Sequence, residues 1–223
     1  MNVSIIIPAK NEGEGIGKVI EQVKPYADEV IVVDGHSQDG TKEIAESLGV
    51  RYVLDNKKGR GDAVKVGINH AKYETLLFFD ADGSHDPKDI PIFLQPLKDG
   101  SADMVIGSRR TGGSLDVKIN FTGIVRVAGC DLLVMLINSR WKANLTDVLY
   151  SFRAIKKNVA KDLNFKANDF YIEQEMVVKC LKKKYRIKEI PSREFARGWG
   201  KSKLNTFQGL KFLWMFFVEA LLP

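Results

Sequence analysis

The sequence of 223 residues has little cysteine and histidine, and neither is spaced for metal chelation. Its two cysteines, Cys130 and Cys180, lie far apart. They predict buried thiols in a reducing compartment rather than a disulfide framework. The three histidines, His36, His70 and His85, form no zinc pattern. These shortages exclude a cysteine- or histidine-rich metal site as the centre of the chemistry.

The glycine motifs of several common folds are also missing. No Gly-x-Gly-x-x-Gly follows the first apolar run, which disfavours a dinucleotide-binding fold. No Gly-x-x-x-x-Gly-Lys-Ser/Thr is present, which disfavours a P-loop NTPase. No Gly-x-Ser-x-Gly elbow is present either. Because no basic region precedes a long apolar segment at the amino terminus, we expect no signal peptide.

Long apolar runs are scarce, and the longest lies at residues 210–223. This run is too short for a transmembrane helix, which needs roughly 20 apolar residues. It either packs on the preceding domain, lies in a membrane interface, or begins a span that continues past residue 223. We therefore expect one domain over residues 1–206, followed by an apolar helix over residues 207–223.

Positive charge is concentrated in one segment. The net charge is +6, but residues 181–203 contain nine Lys or Arg against two Glu, so this segment carries +7 and the remainder −1. Such local basicity predicts an anionic partner, and phosphate, nucleic acid and anionic membrane all fit. Nucleic acid is disfavoured because no recognition motif and no alternation of aromatic and basic residues accompany the charge.

Short apolar runs alternate with helical spacing through the first half of the chain. The order predicts an α/β fold with a mainly parallel central sheet and helices on both faces. The second half is less regular, with helices expected at 124–137 and 170–181. Strands are expected at residues 3–7, 29–33, 51–54, 75–79, 102–106, 149–155 and 185–190.

Asp80-Ala81-Asp82 directly follows the apolar run of residues 75–79. The carboxyl ends of parallel strands are where open α/β sheets bind ligands. Mg²⁺ is typically held by one or two carboxylates together with substrate phosphates. The pattern therefore predicts solvent-facing carboxylates in a metal site for a diphosphate, although a solvated acidic turn would have the same sequence.

Two features precede the third predicted helix. Gly59-Arg60-Gly61 lies where bare backbone is able to approach a phosphate. Asp62 is a candidate N-cap of that helix.

Four blocks, in this order and spacing, resemble the family 2 glycosyltransferases of the GT-A fold. They are Ile-Ile-Ile-Pro-Ala-Lys-Asn-Glu at 5–12, Val-Val-Asp-Gly-His-Ser-Gln-Asp-Gly-Thr at 32–41, Lys-Gly-Arg-Gly at 58–61 and Asp-Ala-Asp at 80–82. Later blocks at 82–88, 107–109, 147–153 and 189–204 resemble the dolichyl-phosphate mannosyltransferases within that family. The resemblance extends from about Val3 to Leu204.

The resemblance implies a donor site at the strand ends. Asp80 would face the nucleotide and the sugar, and Asp82 would hold Mg²⁺ or Mn²⁺ against the diphosphate, with Ser84 beside it. Gly35 departs from the family pattern, which often has a second Asp there. The implied nucleotide-binding residues are Pro8, Ala9, Asn11, Glu12, Asp34, Arg60 and Asp80.

The resemblance also implies a polyprenyl phosphate acceptor at a membrane surface. Arg109 would contact the acceptor phosphate, and Arg153 would do the same or position a loop. The implied catalytic residues are Asp80, Asp82, Arg109 and Arg153. Further cations implied for the acceptor phosphate are Arg126, Arg197, Lys201 and Lys203.

The implied reaction is an inverting, metal-dependent transfer, with mannose from GDP-mannose favoured, by a peripheral protein on the cytoplasmic face of a membrane. UDP-glucose as donor and a soluble acceptor remain alternatives. The chemistry suits a chain without an obvious general base. A phosphate monoester has its second pKa at about 6, so the acceptor is already ionised near neutral pH. A divalent cation would stabilise the departing diphosphate.

Overall fold

The structure is a computed structural model that describes residues 2–115, 121–200 and 208–221. Its described strands form one sheet in the order β3-β2-β1-β4-β6-β5-β7. The strands are β1 Val3–Ala9, β2 Glu29–Asp34, β3 Arg51–Leu54, β4 Thr75–Phe78, β5 Met104–Ser108, β6 Arg153–Lys156 and β7 Ile187–Pro191.

The helices fill the connections between these strands. Three of them, α4, α5 and α7, were not predicted; α4 contains Pro96, a residue that ordinarily interrupts a helix. The helices are α1 Ile16–Val23, α2 Thr41–Ser47, α3 Arg60–His70, α4 Ile90–Lys98, α5 Arg109–Gly112, α6 Phe121–Trp141, α7 Lys157–Leu163, α8 Ile172–Lys182 and α9 Gln208–Leu221.

The sheet is mainly parallel, as predicted, and β6 is its antiparallel strand. Strands β3, β2, β1 and β4 run parallel, and β6 lies antiparallel to both β4 and β5. The strand expected from residue 149 begins at Arg153. Residues 149–152 form a loop instead, and Phe152 within it stacks on His85 and Phe93. That buried packing removes the segment from the sheet and brings it beside Asp80.

Apolar side chains from both faces of the sheet form two cores. Ile6 packs with Val33 and Phe78 in the core that also contains residues of α3, α7 and α8. Ile5 and Ile7, which point to the opposite face, pack with residues of α1 and α4. Because helices cover both faces of the sheet, the parallel strands are buried on both sides and their sequences are continuous apolar runs.

Helix α9 packs against α6 along one side only. Phe212 and Phe216 are buried, and the ring of Phe216 meets Trp141 edge-to-face at 5.9 Å between centroids. Leu210, Trp214 and Phe217 are exposed, Trp214 at 68% of its surface. In the ranges that the structure describes, no helix is both long and apolar enough to cross a membrane.

Candidate active site

The carboxyl ends of three neighbouring strands form the floor of the site. Ala9, at the end of β1, pairs in register with Asp34 at the end of β2. Strand β4 lies on the other side of β1 and leads into Asp80. The fold therefore gathers the polar residues that follow separate strands at one edge of the sheet.

Asp80 is held by partners on both carboxylate oxygens. Oδ1 accepts a hydrogen bond from Arg60 Nη2 at 2.7 Å, and Oδ2 accepts one from Ser151 Oγ at 2.6 Å. Burial alone would raise the pKa of Asp80, but the charge of Arg60 and the hydrogen bonds from Ser151 and Arg60 outweigh it and hold this pKa well below its ordinary value. Asp80 is therefore an ionised carboxylate with a fixed orientation.

Arg60 connects Asp80 to helix α8. Its Nε donates to Glu173 Oε1 at 2.6 Å, 113 residues away in the sequence. The guanidinium is thus shared between two carboxylates. Glu173 was not among the predicted site residues, because nothing local in the sequence relates it to Arg60.

The glycines beside Arg60 are packed closely against a neighbouring backbone. A Cβ on Gly61 would lie 2.6 Å from the carbonyl oxygen of Ala167, and one on Gly59 would lie 2.8 Å from that of Asn168. Gly59 also has a φ of +114°, a conformation that favours glycine. The loop before α8 therefore lies where a side chain at either position would project, and approach of a phosphate to this backbone stays a prediction.

Asp62 is not the N-cap of α3. The helix begins at Arg60, with Gly59 in the N-cap position. The Asp62 carboxylate instead accepts hydrogen bonds from the main-chain and side-chain nitrogens of Asn56, the first at 2.7 Å. The helix therefore starts three residues before the position expected from capping preference.

His85 is a buried site residue that sequence reasoning missed. Its Nδ1 accepts a hydrogen bond from the Asp80 main-chain N–H at 3.2 Å, and its Nε2 lies 3.2 Å from Ser151 Oγ. Burial lowers the pKa of His85, although the charges of Asp80 and Asp82 oppose that shift. The neutral ring therefore contacts Asp80 and Ser151 from inside the protein. The sequence signal that pointed to His85 is its position in the block that begins at Asp82.

Asp82 does not face solvent, contrary to expectation. Its side chain is only 7% exposed. Oδ1 accepts a hydrogen bond from the Ser84 main-chain N–H at 3.0 Å, and Oδ2 lies 2.6 Å from Arg197 Nη1. Ser84 is buried and offers its main chain to this turn.

Residues 195–199, which we call the covering segment, explain the burial of Asp82. The main-chain N–H groups of Phe195 and Gly198 donate to the carbonyl oxygens of Ser84 and Asp82, each at 2.9 Å. Trp199 Nε1 donates to Ala81 O at 2.9 Å. These three bonds fasten the covering segment to the acidic turn.

The Trp199 ring requires glycine on the surfaces beneath it. A Cβ on Gly15 would lie 1.8 Å from the ring, and one on Gly83 would lie 2.8 Å from it. Trp199 was not predicted as a site residue, because its partners are more than 100 residues away in the sequence. It ties the start of α1 to the turn that follows Asp80.

The carboxylate oxygens of the acidic turn suit a cation that is also coordinated by a bound phosphate. Among the residues described, no group of three or more His, Cys, Asp or Glu is arranged to hold a metal by itself. Mg²⁺ usually needs only one or two carboxylates when phosphates complete its shell. Both oxygens of Asp80 accept hydrogen bonds inside the site, and Asp82 Oδ1 accepts one from the Ser84 main chain. Among the residues described, the partner of Asp82 Oδ2 is the partly exposed Arg197, so Oδ2 is the oxygen best placed for the metal.

Arg109 lies at the end of β5 in a half-exposed position. Its Nε and Nη2 donate to the two oxygens of Asp147 at 2.6 and 3.1 Å, and Glu194 Oε1 lies 3.5 Å from Nη1. Its guanidinium carbon is 5.0 Å from the centroid of the Tyr150 ring. Asp147 is itself held by Glu189, which accepts its main-chain N–H at 2.8 Å. Arg109 is therefore a firmly oriented cation.

Arg153 lies inside the protein and does not reach the site. It is 1% exposed, and its guanidinium donates to the main-chain carbonyl oxygens of Tyr150, Val148 and Glu173. Burial lowers the pKa of Arg153 to about 10. A contact with a phosphate does not fit this geometry, whereas positioning of the 148–152 loop does.

The predicted nucleotide residues of the first two strands shape the adjoining loops. Asp34 is 0% exposed, and its oxygens accept hydrogen bonds from Ser37 and from the Tyr52 hydroxyl. Asn11 has a φ of 54°, and its Oδ1 accepts the Gln38 N–H at 2.9 Å. Asp34 is therefore fully buried and holds the turn after β2.

The remaining predicted residues fall in three places. Pro8 and Ala9 end β1, and the main-chain N–H of Glu12 donates to Thr41 Oγ1 at 3.0 Å. Arg126 is exposed on α6. Lys201 and Lys203 lie outside the described residues.

Comparison with known proteins identifies both a family and related folds. The family model for Glycosyl transferase family 2 matches residues 4–163. Glycosyltransferase AglJ of Haloferax volcanii is 30% identical over 200 residues, covering 87% of this chain and 63% of AglJ. Dolichol-phosphate mannosyltransferase of Pyrococcus furiosus is 29% identical over 214 residues, covering 92% of this chain and 60% of that protein. The chain thus spans less than two thirds of both relatives.

A solved structure of glucosyl-3-phosphoglycerate synthase from Mycobacterium tuberculosis, in complex with Mn²⁺, uridine diphosphate and phosphoglyceric acid, is also similar. It matches with a TM-score of 0.78 at 20% sequence identity, covering 100% of this chain and 79% of that chain. This likeness, together with the mainly parallel sheet, confirms the predicted GT-A fold class.

Proposed function

The chain belongs to glycosyl transferase family 2, and from this premise we propose that it moves a sugar from a sugar nucleotide to the phosphate of a polyprenyl carrier. Mannose from GDP-mannose is the favoured donor. The observation that carries the proposal is that groups of opposite charge follow two strands at the same edge of the sheet. Fixed carboxylates follow β4, and the oriented guanidinium of Arg109 follows β5.

The carboxylate side of the site is proposed for the donor. When bound, Mg²⁺ or Mn²⁺ would neutralise charge that develops on the departing diphosphate. Asp82 would hold it through Oδ2, with Asp80 and Ser84 at the same turn. Asp80, fixed by Arg60 and Ser151, would orient the sugar side of the donor. Pro8, Ala9, Asn11, Glu12 and Asp34 would form or support the nucleoside end.

The guanidinium side of the site is proposed for the acceptor phosphate. Arg109 keeps two of its nitrogens on Asp147, while Nη1 faces Glu194 at the longer distance of 3.5 Å. A phosphate displacing Glu194 would gain a charge-assisted hydrogen bond from a guanidinium that is already oriented. Arg126, Arg197, Lys201 and Lys203 are proposed as further cations for this phosphate.

Catalysis in this proposal rests on orientation and charge rather than on a general base. The acceptor phosphate is ionised near neutral pH, since its second pKa is about 6. The buried His85 is neutral and faces Asp80 and Ser151. Holding two anions in line and stabilising the leaving group accounts for most of the expected rate.

The exposed side of α9 supports an acceptor that resides in a membrane. Leu210, Trp214 and Phe217 are exposed there, and Met135 is exposed on the neighbouring α6. Tryptophan and other large apolar side chains favour the membrane interface. We therefore propose peripheral attachment to a membrane, on its cytoplasmic face.

A donor and acceptor panel tests the proposed function. Purified protein with Mn²⁺ is given GDP-mannose or UDP-glucose, and either a polyprenyl phosphate or 3-phosphoglycerate. We expect transfer from GDP-mannose to the lipid phosphate and none from the Asp82→Asn variant. Turnover with UDP-glucose alone would overturn the mannose assignment, and turnover with 3-phosphoglycerate alone would overturn the lipid acceptor.

UDP-glucose is the second candidate donor. The similarity to a glucosyl-3-phosphoglycerate synthase fold keeps that donor in the panel, as well as a soluble phosphorylated acceptor. The exposed apolar side of α9 favours the lipid acceptor over the soluble one.

A further inference from the structure

Arg197 pairs with the one oxygen of Asp82 that a metal would need. We propose that Arg197 is an exchangeable counter-ion, which neutralises Asp82 before a divalent cation binds and leaves it when the cation arrives. The inference rests on the metal site of the proposed function. It assigns to Arg197 a role in controlling metal affinity, besides any contact with phosphate.

The geometry makes the two cations competitors. Asp82 Oδ1 is used by the Ser84 N–H, so Oδ2 remains for a cation, and Arg197 Nη1 lies 2.6 Å from it. A Mg²⁺ ion bound directly to Oδ2 would lie about 2.1 Å from the oxygen. A guanidinium in its present position would then face a dication at close range. The two positive charges repel each other, so one must move.

The covering segment stays attached to the acidic turn when the Arg197 side chain moves. Its three hydrogen bonds to the acidic turn come from the main chain of Phe195 and Gly198 and from the Trp199 ring, and none involves the guanidinium. The Arg197 side chain is 35% exposed, so it has open space on one side. Rotation of the side chain alone is enough to free Asp82 Oδ2.

The exchange couples metal binding to donor binding. A bound diphosphate would give the released guanidinium a new anionic partner, and it would complete the metal shell at the same time. Metal and nucleotide should therefore each strengthen the binding of the other, and this reciprocal effect should be larger when Arg197 is present. Such coupling would keep the site free of metal until the donor arrives.

Direct measurement of Mn²⁺ affinity tests the inference without the transfer reaction. Free Mn²⁺ is followed by electron paramagnetic resonance during titration of the wild-type protein, Arg197→Gln and Arg197→Met, with no nucleotide present. Removing the competitor should tighten Mn²⁺ binding at least about threefold, as expected for loss of a partly exposed ion pair. Added GDP or UDP should strengthen Mn²⁺ binding more in the wild type than in either variant.

Arg193→Gln is the matched control, since Arg193 lies in the same basic segment with its guanidinium carbon 5.7 Å from the Phe195 ring centroid. It removes the same charge four residues away and should leave Mn²⁺ affinity unchanged. Asp82→Asn should abolish binding in every background. Equal or weaker Mn²⁺ binding by both Arg197 variants would overturn the exchange, and so would equal tightening by Arg193→Gln.

Failure of the proposed metal site gives a different result. If the wild type bound no Mn²⁺ even with GDP or UDP, the metal site and the exchange would both be overturned. The donor and acceptor panel stays independent of that outcome, because it reports which sugar and acceptor react.

Discussion

The two carboxylates of Asp80-Ala81-Asp82 differ at the scale of single residues. Asp80 is fixed by Arg60 and Ser151 and balances a buried positive charge. Among the residues that the structure describes, Asp82 Oδ2 has one side-chain partner, the partly exposed Arg197. One carboxylate therefore contributes to stability and orientation, whereas the other is available for exchange.

We expect Asp80→Asn and Asp82→Asn to separate stability from activity. Asp80→Asn leaves Arg60 with only Glu173 and should lower the free energy of unfolding by about 1–3 kcal/mol, as for a buried charged group that loses a partner. Asp82→Asn keeps an oxygen for the Ser84 N–H and loses only the ion pair with the partly exposed Arg197, so its free energy of unfolding should fall by no more than about 1 kcal/mol. It should nevertheless lose transfer activity. Urea unfolding and the transfer assay measure both, and a larger stability loss in Asp82→Asn would contradict the assignment.

Arg109 allows a second test at this scale. Arg109→Ala should raise the KM for the lipid phosphate about tenfold or more, in line with loss of a charge-assisted hydrogen bond, and leave the KM for the donor nearly unchanged. Arg110→Ala is the control, because the neighbouring Arg110 pairs with Asp131 on the surface. A change in donor KM with normal acceptor saturation would refute the acceptor role.

At the scale of elements, the site depends on contacts between segments that are distant in sequence. The loop before α8 packs on Gly59 and Gly61, and the covering segment packs on Gly15 and Gly83. Glycine at these positions is required by a neighbouring backbone or ring. The elements around the acidic turn are therefore fitted to one another at short range.

Gly15→Ala should displace Trp199 and disturb the acidic turn. The added Cβ would lie 1.8 Å from the indole ring, so the ring must move and the hydrogen bond to Ala81 O should be lost. We expect a stability loss of about 1–3 kcal/mol, typical of overpacking, and a fall in transfer activity. Gly40→Ala is the control, because its Cβ would be 3.7 Å from the nearest side-chain atom. Wild-type activity and a wild-type melting temperature in Gly15→Ala would show that Trp199 does not order this turn.

At the scale of the whole molecule, helix α9 adds an exposed apolar surface to the domain that contains the candidate active site. The helix buries Phe212 and Phe216 on the domain and exposes Leu210, Trp214 and Phe217. Both expectations for this segment, packing on the domain and contact with a membrane interface, are compatible with such a helix. The division of the chain at residue 206 remains a prediction.

Trp214→Ser combined with Phe217→Ser should weaken membrane attachment without unfolding the protein. Both side chains are exposed, so the melting temperature should change little. Co-sedimentation with vesicles containing anionic lipid should fall several-fold, because interfacial binding scales with buried apolar area. Unchanged co-sedimentation would contradict the proposed surface, and Leu54→Ser, at an exposed position on β3, controls for lost apolar area elsewhere.

The sequence by itself determined the α/β architecture, the strand-end location of Asp80 and Asp82, and the family. These features follow from local information. Apolar runs predict buried strands, and the family is recognised from short blocks in a given order along the sequence. The sequence did not reveal that Glu173 shares Arg60 with Asp80, that Arg153 is buried, or that Arg197 forms an ion pair with Asp82. Only the tertiary structure decided those points, because each depends on burial and on partners that folding brings together from distant parts of the chain.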